Sequence, residues 1–323
     1  MVEHVITEMQ DGKKLHRVVR QMLPGVPLSG IYKMLRTGRV KLNGKKAKSE
    51  QVVSTGDLLS IWMQEEDYEE VRKSPKKFYG VDSNIDVLCE TDGWMAVNKP
   101  AGVLTHDAPG EYKNTLVSQV LAYLYRADQL SSDTFTPAPV HRLDRNTSGI
   151  VLFAKNGVVA RELSDALQSR DVEKSYLALV VGTVIKGGTV RSRLERVSGN
   201  RTEVSDEGVL AMTDYYPIAS AGETTVVGLK LVTGRTHQIR IHMRNAGHPL
   251  VDDVKYNPSA WREVKRQGIE SGVHQWLHAL RVVLRDGQEI VAPIPEPMRR
   301  KLKSLGYSDA QIREMEGFRP PSR

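Results

Sequence analysis

Val18, Val19, Met22 and Leu23 fall at helical spacing, and after the Pro24-Gly25-Val26-Pro27 turn Ile31, Met34 and Leu35 repeat it. Two short helices are expected, with Ser29 as a cap for the second. Arg39-Val40-Lys41-Leu42 then alternates as a strand does, and Asn43-Gly44 is a strong two-residue hairpin signal. The Thr55-Gly56-Asp57 turn precedes another strand, Leu58-Leu59-Ser60-Ile61-Trp62. From 63 to 84 the pattern dissolves into Glu65, Glu66, Asp67, Glu69 and Glu70, then Arg72, Lys73, Lys76 and Lys77 around Pro75. Like charges with so little apolar content cannot bury a core, so this stretch reads as a charged linker.

From Ile85 onward the pattern mixes α and β. Trp94 to Lys99 reads as a strand stopped by Pro100 and Gly102, and Leu116, Val120 and Leu124 mark a helix opened by Asn114 or Thr115. Gly149 to Ala154 is a continuous apolar run, hence a buried strand, followed by an amphipathic helix carrying Val159, Leu163, Ala166 and Leu167. Tyr176 to Val181 and Thr225 to Val232 are further buried strands. Helices and turns both join these strands. The fold class is therefore α+β, a mixed, largely antiparallel sheet with packed helices, preceded by a small α/β domain. Ser308 and Gln311 form a capping box for a last helix before an Arg319-Pro320-Pro321 tail.

Charge divides the chain more sharply than hydropathy does. Of the net +7, eleven Lys or Arg and no acid lie between Lys13 and Lys48, leaving 35 basic against 39 acidic side chains elsewhere. A block of this kind suits a module that grips a polyanion, joined to a nearly neutral body. Lys33, Arg36, Arg39, Lys41, Lys45 and Lys46 are its candidate contacts. The 323 residues suffice for about two domains. A single cysteine, Cys89, excludes an intramolecular disulfide and a thiolate zinc site. The first residues lack a signal-peptide core, and no apolar run approaches the ~18 residues of a membrane span. A reducing, cytoplasmic setting is expected. His237 and His242, five apart, make a poor metal pattern, and Gly234-Arg235-Thr236 lacks the lysine of a phosphate loop.

The stretch richest in chemistry runs from His141 to Gly149, where Asp144 sits between Arg142 and Arg145 in a polar turn just before a buried strand. A turn mounted on a rigid strand can present an acid at a sheet edge. His141 to Ala154 (HRLDRNTSGIVLFA) resembles the signature of the RluA-type pseudouridine synthases. RELSDALQSRDVEKSYLALVVG, from Arg161, resembles the segment carrying that family's active-site tyrosine, here Tyr176. LVTGRTHQIRIHMRNAGH, from Leu231, resembles its third motif, with Arg235 at the arginine position. Trp94 to His106 and Leu277 to Ala292 resemble flanking elements. Where the family commonly carries a second Asp, this chain has Asn146. Residues 13–62, with GVPLSGIYKMLRTGRVKLNGKKAK, resemble the alpha-L RNA-binding domain of the ribosomal protein S-four type, although Lys14-Leu15-His16 stands where such domains often begin Arg-Leu-Asp. Motif and domain order are most similar to RluC-like members.

The resemblance implies four segments: the RNA-binding domain over 13–62, a linker over 63–84, a catalytic domain over 85–300, and a C-terminal helix and tail over 301–323. It also implies the reaction. Uridine in large-subunit ribosomal RNA would be isomerised to pseudouridine, with transfer RNA as the rival substrate. No atom is gained or lost, so neither cofactor nor metal is needed. One carboxylate suffices, as nucleophile or as base at the sugar, where a glycosidase needs two. By resemblance Asp144 is that carboxylate, Tyr176 stacks on the flipped base, Arg235 pairs with Asp144, and Arg142, His141 and His106 bind substrate. The RNA is the partner; no membrane or protein partner is indicated, and a monomer is expected.

Overall fold

A computed structural model describes residues 1–321 except 27, 73–80, 109–110, 112–113, 128, 131–134, 198–200, 258, 261 and 263–274. It divides into two compact units. The first comprises Met1–Ser83 with Ser118–Ala138 and Lys155–Gly157, and the second holds the remainder. No helix among the described residues is long and apolar enough to cross a membrane.

In the first unit a strand β1 (Val2–Val5) and a 3-10 turn precede helices α1 (Leu15–Met22) and α2 (Leu28–Thr37). Strands β2 (Val40–Leu42), β3 (Lys45–Lys46) and β4 (Leu58–Ile61) complete a sheet ordered β1-β4-β2-β3. The two helical periods seen in the sequence bury Val18, Val19, Met22, Ile31 and Leu35 against Val40, Leu59 and Ile61. Asn43 and Gly44 adopt φ of 50° and 75°, the left-handed pair that a two-residue hairpin demands.

Three expectations change here. The sheet begins at Val2, ahead of the expected start at 13, because β1 pairs with β4 along its length. Ser29 lies inside α2 and is not its cap. The segment expected as a charged linker opens with a helix, α3 (Glu65–Arg72). Its acids Glu65, Glu66 and Asp67 occupy the first turn, where they complement the helix dipole. Tyr68 and Val71, three apart on one face, pack against the unit's core. Positions 73–77 of that segment, and Pro27 of the earlier turn, lie outside the described residues.

The second unit is built on an eleven-stranded sheet. Its strands are β5 (Asp86–Glu90), β6 (Trp94–Lys99), β7 (Ala138–Pro139), β8 (Ser148–Ala154), β9 (Glu173–Val181), β10 (Gly188–Val197), β11 (Arg201–Val204), β12 (Val209–Ala221), β13 (Thr224–Leu231), β14 (Leu277–Val283) and β15 (Glu289–Val291). The main path runs β11-β10-β12-β13-β9-β14-β8-β6-β5. Its pairs are antiparallel except β14 with β8, and β8, the strand after Asp144, lies inside the sheet between β14 and β6. That approach is close. A Cβ on Gly149, whose φ is +109°, would lie 2.2 Å from the Ala279 carbonyl oxygen, so no other residue fits. Helices α5 (Gly157–Ser169) and α6 (Gln238–Asn245) join its strands, and α7 (Glu296–Ser304) and α8 (Asp309–Glu316) follow the last one, whereas α4 (Leu116–Arg126) belongs from Ser118 onward to the first unit.

The expected capping box is present: Ser308 accepts from the Gln311 amide at the start of α8. The segment 301–323 is nonetheless part of the second unit's core. Met298, Leu302, Tyr307, Ile312 and Met315 are buried with Leu177, Leu179, Val226 and Leu280 of the sheet. Their helical spacing supplies an apolar stripe that only the sheet can cover.

Candidate active site

Asp144 lies in the loop that enters β8, and this loop is latched from beneath. Thr105 Oγ1 donates to the Leu143 carbonyl at 3.0 Å and accepts from the Leu143 amide at 3.2 Å. Lys99, at the end of β6, is fully buried, and its ammonium donates to the carbonyls of Pro100, Val103 and Arg145, each at 2.8 Å. Burial pushes the Lys99 amine down to about 7, opposed by the negative charge of Asp144. Three carbonyl acceptors match the three protons of an ammonium, so this lysine ties two loops together around the acid. The Thr147 amide donates back to the Asp144 carbonyl at 3.0 Å and closes the turn.

The carboxylate faces a cavity of about 260 Å³ whose lining includes His141, Arg142, Thr147, Lys174, Tyr176 and Arg235. One carboxylate oxygen, Oδ2, is held by the protein: Arg240 Nη1 donates to it at 3.4 Å and His237 Nε2 lies 3.8 Å away. Arg240 is itself fixed. Its Nε and Nη2 donate to Asp253 at 2.8 Å each, Asp253 is 1% exposed, and the guanidinium lies 4.8 Å over the Tyr256 ring. Such a two-pronged pair fixes the plane of the guanidinium. His237 Nδ1 lies 2.7 Å from the Tyr256 hydroxyl. Burial pushes His237 down to about 4, against the pull of Asp144. Its φ of 55° is left-handed, a strain that the turn into α6 imposes beside the acid. Among the described residues Oδ1 of Asp144 has no partner.

Tyr176, which the resemblance put with Asp144 in the active site, lines the same cavity as that acid. Tyr176 is 6% exposed on β9, and burial, with the Asp144 charge, raises its hydroxyl above the ordinary range. The expected pairing of Arg235 with Asp144 is corrected: Arg240 makes that contact. Arg235 lies in the exposed turn before α6, while Arg240, on the first helical turn, is directed inward. Arg142 is exposed at the cavity. His141 also lines it, but its Nε2 accepts the Leu152 amide at 3.1 Å and burial pushes it down to about 3, so that nitrogen is committed to β8. His106 is an exposed residue outside that lining; desolvation of its ring and the nearby Arg142 charge lower it.

Lys99, His237, Arg240, Asp253 and Tyr256 were not singled out from sequence as site residues. The one available signal was the second arginine of GRTHQIR, five positions after the first. His237 and His242 do not converge on a common point: His242 is buried on Thr213 at 2.9 Å and Ser192 at 3.0 Å. In the first unit Lys33, Arg36, Arg39, Lys45 and Lys46 are exposed, and Lys41 lies 4.5 Å over the Trp62 ring.

The cavity with its carboxylate, buried guanidinium and buried tyrosine lies within a stretch that matches a known family. Residues 93–245 match the RNA pseudouridylate synthase model and residues 13–59 match the S4 domain. The chain belongs to the RNA pseudouridine synthase family, in its RluA-type form with an N-terminal S4 domain, and is an enzyme of that class. Among its curated relatives is "Ribosomal large subunit pseudouridine synthase D" of Xylella fastidiosa, 32% identical over 94% of this chain and 92% of the relative. The protein of the same name from Yersinia pestis is 33% identical over 96% of each. "Uncharacterized RNA pseudouridine synthase YhcT" of Bacillus subtilis is 32% identical over 93% of this chain and 95% of its own length. Human RNA Pseudouridylate Synthase Domain Containing 4 shares the fold, with a TM-score of 0.56 at 22% identity over 68% of this chain and 92% of that one.

Proposed function

We propose that this enzyme isomerises specific uridines of large-subunit ribosomal RNA, with Asp144 as its essential carboxylate. The observation that carries the reading is that, among the described residues, Asp144 is the one acid facing the cavity, with Oδ2 held by Arg240 and Oδ1 without a partner. An acid so held has one oxygen left for the ribose. It acts there as nucleophile at the anomeric carbon or as base at the sugar, while the glycosidic bond to nitrogen one breaks and carbon five of the rotated uracil takes its place. The target uridine enters the cavity by leaving the base stack, at a cost of a few kcal/mol. Tyr176 packs against the uracil, and Arg142 supports the opened RNA from the rim. Arg240, His237 and Lys99 orient the acid.

Residues 13–62 grip the RNA through Lys33, Arg36, Arg39, Lys41, Lys45 and Lys46, in the cytoplasm, where ribosomal RNA is assembled. Large-subunit specificity is supported by the names of the Xylella and Yersinia relatives. Mapping pseudouridine across ribosomal and transfer RNA, in cells with and without the gene, tests both parts of this reading. Sites lost from large-subunit RNA alone are the expected result. Loss confined to transfer RNA would move the substrate, and no loss anywhere, with no conversion by the purified protein, would refute the reaction.

A further inference from the structure

Beside the Asp144 cavity lies a second one of about 610 Å³, between the C-terminal part of α5, the start of β9 and the end of β13. That volume is in the range of pockets that take small ligands, about 300–1,000 Å³. The two cavities share one wall, made of His141, Lys174, Leu231, Gly234 and Arg235. The cations on this wall have no counter-ion. Lys174 is half-buried, and neither its ammonium nor the Arg235 guanidinium has a hydrogen-bond or ion-pair partner among the described residues. Arg170 adds a further cation to the second cavity, whose acid, Glu173, is taken up by Lys230. Partly desolvating a charge without a partner has a cost, so an unpaired half-buried cation at a cavity wall favours an anion there. Nothing in the chemistry at Asp144 uses Lys174, and Arg235, released from the pairing expected for it, stands beside Lys174 on the same wall.

We propose that the second cavity is the binding site for the nucleotide adjoining the target uridine, with the phosphate that links the two seated between Lys174 and Arg235. This rests on reading the first cavity as the pocket of the flipped uridine. Two occupied cavities with a shared wall match two successive nucleotides with a shared phosphate. A lysine offers that phosphate a point charge, and an arginine offers a planar fork of donors. Selection at the second cavity then contributes to which uridines are modified.

The test uses the full chain and a target hairpin in which each phosphate within two nucleotides of the uridine is replaced in turn by methylphosphonate, which keeps its size and removes its charge. Binding and single-turnover conversion are measured separately for wild type, Lys174→Met and Lys174→Arg. One replacement directly adjoining the uridine should weaken wild-type binding by about tenfold, as losing a charge-assisted contact does. The same replacement should leave Lys174→Met nearly unaffected, and Lys174→Arg should resemble wild type. Equal penalties in wild type and Lys174→Met at every position would overturn the proposal. Removing an unpartnered half-buried cation should not lower the thermal midpoint; should Lys174→Met nevertheless fail to fold, Arg235→Gln, at an exposed residue, must show the same coupling to the same phosphate. Hairpin that is bound but not converted would count against the proposed reaction, while the binding comparison alone still decides the phosphate site.

Discussion

In the first unit Lys33, Arg36, Arg39, Lys45 and Lys46 are exposed and have no acidic partner among the described residues, whereas Lys99 and Arg240 near Asp144 are buried and fully engaged. Exposed cations cost little to keep, act through a field screened within roughly 8–10 Å of salt water, and are largely interchangeable. Buried ones must be matched donor by donor, so each has one position and one purpose. Arg240 spans Asp253 and Asp144, and Lys99 spans three carbonyls of the loops around the acid. The same residue types are thus left to solvent in one unit and fix geometry in the other.

The sharpest break of this contrast is at the acid itself. Asp144→Asn preserves shape and removes the charge, so single-turnover conversion should fall to background while RNA affinity stays within a few fold; persisting pseudouridine formation would exclude Asp144 as the essential group. Next, Arg240→Met leaves Asp253 buried without its counter-ion. Stability should drop by about 3–5 kcal/mol in denaturant titrations, the usual consequence of breaking a buried pair from one side. An exposed cation such as Arg36→Met should change it by less than about 0.5 kcal/mol. Equal losses would erase the distinction drawn here.

Tyr176 gives an intermediate effect. Tyr176→Leu removes a stacking surface worth roughly 1–3 kcal/mol per base, and Tyr176→Phe retains it. RNA binding should therefore weaken more for Leu than for Phe, and identical affinities would rule out stacking. Reversing Lys33, Arg36 and Arg39 to glutamate should weaken RNA binding and flatten its salt dependence, each lost phosphate contact removing about 0.7–0.9 from the logarithmic slope. Unchanged slopes would reduce the basic block to a solvated face.

A last prediction concerns protons. His141 is held down to about 3, and His237, His242 and His278 to about 4, by burial that disfavours their charged forms. The unfolded chain binds protons near 6.5, so between about 6.5 and 4 it takes up more than the folded one, and stability must fall as pH drops through that window. Denaturant midpoints should rise from pH 4 to pH 6.5 and level off above; a flat profile would show that these imidazoles are not kept neutral.

Much was legible before any coordinates. Each helical stripe and apolar run named from sequence forms its element, because burial of a periodic face is a local property of the chain. The capping box at Ser308 and the hairpin at Asn43-Gly44 are local for the same reason. Strands β10, β11 and β12 escaped notice: they are half exposed and alternate with polar residues, which gives a weak signal. In α3 the dense charge masks the Tyr68–Val71 spacing that packs the helix.

The chain's own letters carried the basic block outright, and contiguous motifs carried, by resemblance, the family and the expectation of an acid at Asp144 and a tyrosine at Tyr176. Which arginine meets the acid was decided only by the fold. Arg235 and Arg240 are five residues apart in one motif, and a left-handed turn at His237 leaves the first exposed and carries the second inward. Lys99, Thr105, Asp253 and Tyr256 reach the site from β6, the loop after it and the segment following α6, through contacts as much as 46 positions apart for Lys99 and Arg145 and 96 for Arg240 and Asp144. Hydrogen bonds and ion pairs depend on distance in space, and sequence spacing records that distance only within an element. Where strands from remote parts of the chain converge, the partners of a buried charge are set by the packing of the sheet.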